Sequence, residues 1–247
     1  MVTADDLLEI FGAAADAQAA AVAPLEGKVR RARTERAGQY ALDVVADAAV
    51  LAALAPAGAH VLSEESGWTG PEHAAVTIVV DPVDGSTNCA RQIPYWAISL
   101  CALDADGLWC ALVANQATGE RFTAVRGGGA WCDGRPVKPS MVTRPEDSVM
   151  ALAGIPKHIL PWKQFRALGS GALTLCDVAD GRVDGFVDSY AAHAPWDYLG
   201  GLLVCQEAGA VVVDAQDRPL LTIDADARRA MLAASTPELL DAMRGAW

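Results

Sequence analysis

The sequence predicts an α+β protein, a layered mixture of helices and sheets. Three observations carry that reading. The chain opens with two Ala-rich stretches at helical spacing, it turns β-branched and glycine-punctuated beyond His60, and it alternates strands with helices beyond Val149. The 247 residues suffice for one large domain or two intimate sub-domains with a sizeable core.

Thr3 to Val22 reads as a helix, with Leu7, Leu8 and Phe11 in register and Thr3 or Asp5 as cap. Pro24 to Gly38 is polar and basic and reads as a loop. Leu42 to Leu54 reads as a second helix, ended by Pro56 and Gly58. His60 to Ser63 is a short strand, and Val76 to Val80 is a β-branched run typical of a buried one. Ala97 to Leu103, Leu108 to Asn115 and Arg121 to Arg126 follow, separated by Gly107 and Gly119 and closed by Gly127 to Gly129; this is the pattern of an antiparallel meander. Val149 to Ala153 and Phe165 to Leu168 read as strands, Ala172 to Ala179 as a helix, and Phe186 to Asp188 as a strand. Trp196 to Glu207 is a helix stopped by Gly209, Val211 to Val213 a strand, and Pro237 to Met243 a last helix. Residues 1–247 are expected to form one unit, with sub-domains of roughly 1–140 and 141–247. The seven tryptophans are expected in the core or at its rim.

Charge and cysteine usage narrow the function classes. With 19 Lys and Arg against 31 Asp and Glu, the net charge is −12, which repels nucleic-acid backbones and anionic membranes. The densest basic stretch runs from Lys28 to Arg36, and Glu35 interrupts it. An acidic start and the lack of a long apolar run predict neither a signal peptide nor a membrane span. The six cysteines show no CxxC pair, so they are expected to be reduced thiols in a cytoplasmic protein.

Chemistry concentrates in three segments. In Asp81-Pro82-Val83-Asp84-Gly85-Ser86-Thr87-Asn88 a strand delivers Asp81, Pro82 fixes the backbone, and Asp84 follows on the turn. Two carboxylates on a rigid turn suit a hard divalent cation, and neighbouring hydroxyls suit a phosphate or an attacking water. The same residues also satisfy an ordinary Asp-Pro/Asp-Gly turn. Ser63-Glu64-Glu65 follows an apolar run, either as a third carboxylate source or as a solvated loop. Trp196-Asp197 opens a helix, where an aspartate serves as a cap, as a site residue or as both.

In this order the segments resemble the inositol monophosphatase family, the magnesium-dependent, lithium-sensitive phosphatases that include fructose-1,6-bisphosphatases. The family reads G-E-E, then D-P-[IL]-D-G-T-x-N, then W-D before E-A-G-G; here stand Ser63-Glu64-Glu65, Asp81 to Asn88, and Trp196-Asp197 before Glu207-Ala208-Gly209-Ala210. The resemblance implies an α/β/α/β sandwich, two or three Mg²⁺ ions, a small phosphorylated metabolite as substrate, and a homodimer. It implies that Glu64, Asp81, Asp84, Asp197 and the carbonyl of Val83 hold metal, with Glu64 also among the catalytic groups and Glu65 in support. Gly85, Ser86 and Thr87 match the phosphate cradle, and Asp47 with Ser86 matches the pair that activates water. Gly169 and Ser170 match a substrate-side motif, and Asp188 takes the place of a Glu that contacts inositol hydroxyls.

The chain departs from the pattern in places. Ser86 replaces a Thr but keeps the hydroxyl, and the segment before Asp47 lacks the Thr of V-T-x-x-D. The family's upstream Lys has no match, though Arg33 or Arg36 could stand in. The interval from Asp184 to Asp197 is longer than in animal members and looks like that of microbial ones with broad sugar-phosphate activity. His193 is not expected to be a metal ligand, because Mg²⁺ prefers oxygen. The expected reaction is hydrolysis of an inositol-1-phosphate-like substrate by metal-activated water. Alternatives are fructose-1,6-bisphosphate, 3′-phosphoadenosine-5′-phosphate or histidinol phosphate as substrate. A different class is a regulatory member without catalysis, which loss of a metal carboxylate would signal; none is lost here. A dinucleotide-binding fold needs G-x-G-x-x-G after the first strand, and Gly127 to Gly129 does not fit.

Overall fold

The computed structural model describes residues 2–246. Helix α1 (Ala4–Val22) begins at a reciprocal capping box: Asp6 N–H donates to the Thr3 hydroxyl at 3.2 Å, and Thr3 N–H donates to the Asp6 carboxylate at 2.8 Å. The expected loop that follows contains a four-residue helix, α2 (Gly27–Arg30), and a bridge between Arg33 and Tyr40. Helix α3 (Ala41–Leu54) packs beside α1, and Leu7, Phe11, Val50 and Leu54 are buried between them and the first sheet.

That sheet holds β1 (His60–Ser63), β2 (Gly67–Thr69), β3 (Thr77–Asp84), β4 (Ala97–Asp104), β5 (Gly107–Asn115), β6 (Arg121–Val125), β7 (Gly129–Cys132) and β8 (Arg135–Pro136), ordered β2-β1-β3-β4-β5-β6-β7-β8. From β3 to β8 it is the expected antiparallel meander, extended by the unforeseen β7 and β8; β1 pairs with β3 in parallel. Strand β3 does not stop at Asp81: it continues through an irregularity in register to Asp84, and the six-residue helix α4 (Ser86–Arg91) follows.

The second sheet takes β9 (Val149–Ala153), β10 (Gln164–Arg166), β11 (Gly185–Asp188), β12 (Val211–Asp214) and β13 (Met231–Ala234), in the order β10-β9-β11-β13-β12. The expected strand at Phe165 to Leu168 is this exposed edge strand β10, shifted by one residue and shorter. Strand β13 went unforeseen because Met231-Leu232-Ala233-Ala234 carries no alternation, being buried throughout. Helices α5 (Gly171–Ala179) and α6 (Pro195–Ala208) lie between the sheets, and α7 (Pro237–Met243) covers the outer side of the second. The layers therefore run helix, sheet, helix, sheet, with α7 on the outer face of the second sheet.

Helix α6 is covered on both sides, and two glycines let the layers close. A Cβ on Gly200 would lie 2.8 Å from Ser99 Oγ, and one on Gly201 would lie 2.7 Å from Leu175 Cβ. All six cysteines are free and buried. Among the described residues no helix is long and apolar enough to cross a membrane. Trp96 and Trp196 are buried as expected, Trp68 and Trp131 are exposed, and Trp247 falls outside the described residues.

Candidate metal centre

The site forms where β3 runs out between the two sheets. Val83 N–H donates to Asp81 Oδ1 at 2.9 Å, which fixes the turn that Pro82 begins. Gly85 takes φ +90°, and a Cβ there would meet the Gly169 carbonyl oxygen at 2.9 Å, so neither the conformation nor the space admits a side chain. Asn88 Nδ2 donates to the carbonyls of Tyr95 and Leu168, each at 2.7 Å, and so ties α4 to the loop before α5. Asp84 reaches across to that loop. It accepts from Ser170 Oγ at 2.5 Å, from Ala172 N–H at 2.8 Å and from Gly171 N–H at 3.3 Å, which caps α5 from another element.

Three carboxylates converge beside it. Glu64 extends from the end of β1, where its N–H donates to the Val80 carbonyl at 3.2 Å. Asp197 stands in the first turn of α6, accepting from Ala194 N–H at 2.5 Å. Glu64, Asp81 and Asp197 each bring a carboxylate oxygen to within 4.8 Å of the others. Burial, then repulsion from Asp197 and Glu65, pushes Glu64 up to about 8. Burial raises Asp197 to about 6 against the pull of His193, and burial with the Glu64 and Asp84 charges holds Asp81 well above the usual range. Such crowding is stable when a cation neutralises it or when protons do. An all-oxygen donor set of this kind fits a hard divalent cation such as Mg²⁺ and disfavours a thiolate-seeking metal.

The other expected site residues fall out differently. The Val83 carbonyl accepts from Ser86 Oγ at 3.0 Å, so both are placed together at the turn. Thr87 is exposed, with its hydroxyl 3.3 Å from Tyr40 Oη. Asp47 does not meet Ser86: its carboxylate accepts from Ser63 Oγ at 2.5 Å and from Ser66 Oγ, which pins the loop that carries Glu64 and Glu65. Asp43, one turn earlier on α3, faces the site instead. Its Oδ2 accepts from Tyr40 N–H at 2.8 Å, while its buried Oδ1 has no hydrogen-bond partner in the chain. Burial lifts Asp43 to about 6, with the nearby Ser86 hydroxyl among the groups favouring its charge. The sequence signal for it was available: Asp43 is the acid three residues past the helix N-cap, where an acidic side chain turns back on the first turn.

Asp188 is likewise corrected. It is wholly buried, and it accepts from the N–H groups of Tyr190 and Ala191 while holding His193 Nδ1 at 2.6 Å. Its carboxylate is thereby engaged within the chain, and the His193 ring, rather than Asp188, lines the neighbouring cavity. A cavity of about 340 Å³ beside Asp84 and Asp197 is walled by Gly169, Ser170, His193 and Tyr190. Burial would lower the His193 pKa, but the Asp188 hydrogen bond and the Asp197 and Asp84 charges overcome it and raise it to about 9. The Ser170 hydroxyl borders this cavity yet is engaged by Asp84. Arg36 meets the Glu64 and Glu65 carbonyls and the Glu65 carboxylate, whereas Arg33 lies 3.4 Å over the Tyr40 ring. Glu207 lies away from the site. It accepts the N–H groups of Gly127 at 2.9 Å and Gly129 at 3.0 Å, clamping the turn before β7 to α6.

Comparison with known proteins identifies relatives of the chain and of its fold. The Inositol monophosphatase family profile matches residues 6–244. The chain is 31% identical over 205 residues to a fructose-1,6-bisphosphatase of Pyrococcus furiosus, covering 81% of this chain and 79% of that protein. It is 34% identical over 169 residues to the Nus factor SuhB of Escherichia coli (strain K12), covering 62% of each. The structure of an inositol monophosphatase from Anabaena (Nostoc) sp. superposes with a TM-score of 0.80 at 26% identity, over 98% of this chain and 95% of that one. The chain belongs to the inositol monophosphatase family.

Proposed function

We propose that this protein is a Mg²⁺-dependent phosphomonoesterase that hydrolyses a small sugar or inositol phosphate. The observation that carries the reading is the convergence of Glu64, Asp81 and Asp197 beside Asp84 and the Ser86–Thr87 turn. Bound Mg²⁺ would neutralise the dianionic phosphate and lower the pKa of the attacking water. Glu64, Asp81, Asp84, Asp197 and the Val83 carbonyl are the groups that would hold it. Gly85, Ser86 and Thr87 cradle the phosphate. Asp43, oriented by Tyr40 N–H, takes the proton of the attacking water with Ser86 beside it; this role moves to Asp43 from Asp47. Ser170 holds Asp84 in place. The cavity beside them receives the alcohol part of the substrate, with His193 turned to its hydroxyls by Asp188.

The candidate substrates are inositol-1-phosphate, fructose-1,6-bisphosphate, 3′-phosphoadenosine-5′-phosphate and histidinol phosphate. Phosphate release from these four, with and without Mg²⁺, ranks them, and Asp84→Asn is the control. Mg²⁺-dependent release that the variant abolishes is the expected result. Silence on all four with Mg²⁺ still bound favours the second reading, a regulatory member, to which the Nus factor relatives lend weight. Silence without Mg²⁺ binding overturns the metal assignment itself.

A further inference from the structure

The basic stretch noticed in the sequence has no part in the chemistry above. Five of the chain's 19 cations fall between Lys28 and Arg36, in a chain of net charge −12. The structure sorts them. Arg30 is engaged by the Cys89 carbonyl at 2.8 Å, and Arg36 by Glu65. Arg31 and Arg33, the latter donating from Nη1 to the Gly38 carbonyl at 2.7 Å, line with Arg91, the last residue of α4, a cavity of about 530 Å³ completed by Tyr40, Ala90 and Ile93. Among the described residues, none of Arg31, Arg33 and Arg91 pairs with a carboxylate. Three like charges around one concavity repel one another, and no carboxylate among the described residues pairs with them. The arrangement is favourable when an anion sits among them.

We propose that Arg31, Arg33 and Arg91 form an oxyanion subsite that takes a phosphate group without a metal ion. Guanidinium forks match phosphate oxygens in pairs, and the Tyr40 ring beneath Arg33 keeps that fork in place at 3.4 Å. The subsite adjoins the proposed catalytic turn. Tyr40 forms a wall of it while its hydroxyl meets Thr87 at 3.3 Å. Thr87 and Arg91 are four residues apart on α4, hence on one helix face and about 6 Å apart along its axis. A phosphate here comes from one of two sources: the remote phosphate of a doubly phosphorylated substrate, or free phosphate. Only the link to the substrate rests on the proposed phosphatase reading; the subsite itself does not.

Calorimetric titration of the whole protein with inorganic phosphate in EDTA, at fixed ionic strength, tests it. Without metal, the acidic cluster repels anions, so binding under these conditions reports the arginines. Binding that Arg31→Gln/Arg91→Gln weakens by about tenfold or more is expected, since each lost charged hydrogen bond is worth that order. Both side chains are exposed, so the variant keeps its fold, checked by an unchanged Tm. No binding in EDTA, or equal binding by the variant, overturns the proposal. A kinetic arm names the source: a KM raised about tenfold for a sugar bisphosphate but unchanged for its monophosphate assigns the remote phosphate of the substrate. Phosphate binding with both KM values unchanged assigns free phosphate. Phosphate binding in a protein that turns over nothing leaves the subsite standing and sinks the phosphatase reading alone.

Discussion

Asp43 and Asp47 sit one turn apart on the same face of α3, and both are nearly fully buried. Their hydrogen bonds separate them. Asp47 has each oxygen held by a serine hydroxyl, so it is a clamp for the loop after β1. Asp43 keeps one oxygen free of partners, with Ser86 nearby, so it retains the capacity to accept a proton. Asp43→Asn is expected to lower kcat by about 100-fold or more with Mg²⁺ affinity preserved, the range for a lost general base. Asp47→Asn is expected to cost stability with a smaller loss of kcat. Steady-state kinetics and Mg²⁺ titration of both variants check this, and a larger kcat loss in Asp47→Asn would return the base to that residue.

At the scale of elements, connections are pinned by carboxylates that accept backbone N–H groups. Asp84 caps α5, Asp184 holds Val149 N–H at 2.6 Å at the start of β9, and Asp214 at the end of β12 holds Ala230 N–H at 2.9 Å beside β13. Asp214 gives the sharpest test, because it is buried and also meets Arg218 at 2.7 Å. Burial would raise its pKa, but the Arg218 guanidinium and the N–H groups of Ala230 and Arg218 lower it to about 2. A depressed folded-state pKa contributes stability above the unfolded value, about 3.9, and that contribution is lost as pH falls through about 2. The urea midpoint of the wild type is therefore expected to exceed that of Asp214→Asn at pH 7, with about 2 kcal/mol at stake. The gap should narrow as pH falls from about 4 to about 2. A gap that stays constant over that range contradicts the ion pair.

At the scale of the whole molecule, two sheets and the helix layer between them bring Glu64 and Asp81 from the first sheet against Asp197 from α6. These carboxylates repel one another when ionised, and a bound cation would relieve that repulsion. Mg²⁺ at about 100 times its Kd is expected to add about 2.7 kcal/mol to stability, since it binds the folded state and not the unfolded one. Thermal melts with Mg²⁺ and with EDTA should show that increment, and Asp81→Asn should lose it. Equal melting temperatures with and without Mg²⁺ would count against the metal centre.

The sequence by itself determined the layered class, the meander, and the turn at Asp81 to Asn88, because each rests on local rules: periodicity, β-branching and the backbone freedom of Gly85. It also marked Glu64 and Asp197 as candidates, through motif order along the chain. Only the tertiary structure decided which side chains face one another. Asp47 and Asp188 carry the right chemistry at plausible spacing, yet Ser63, Ser66 and His193 engage them. Strand β13 was invisible for a similar reason: a strand buried on both sides loses the alternation that marks a strand. The arginine cavity draws on residues 31, 33 and 91, and no local pattern announces that a loop and the end of a short helix enclose one space. Hydrogen-bond partnership and enclosure are properties of residues distant in the chain, so they appear only when the layers close.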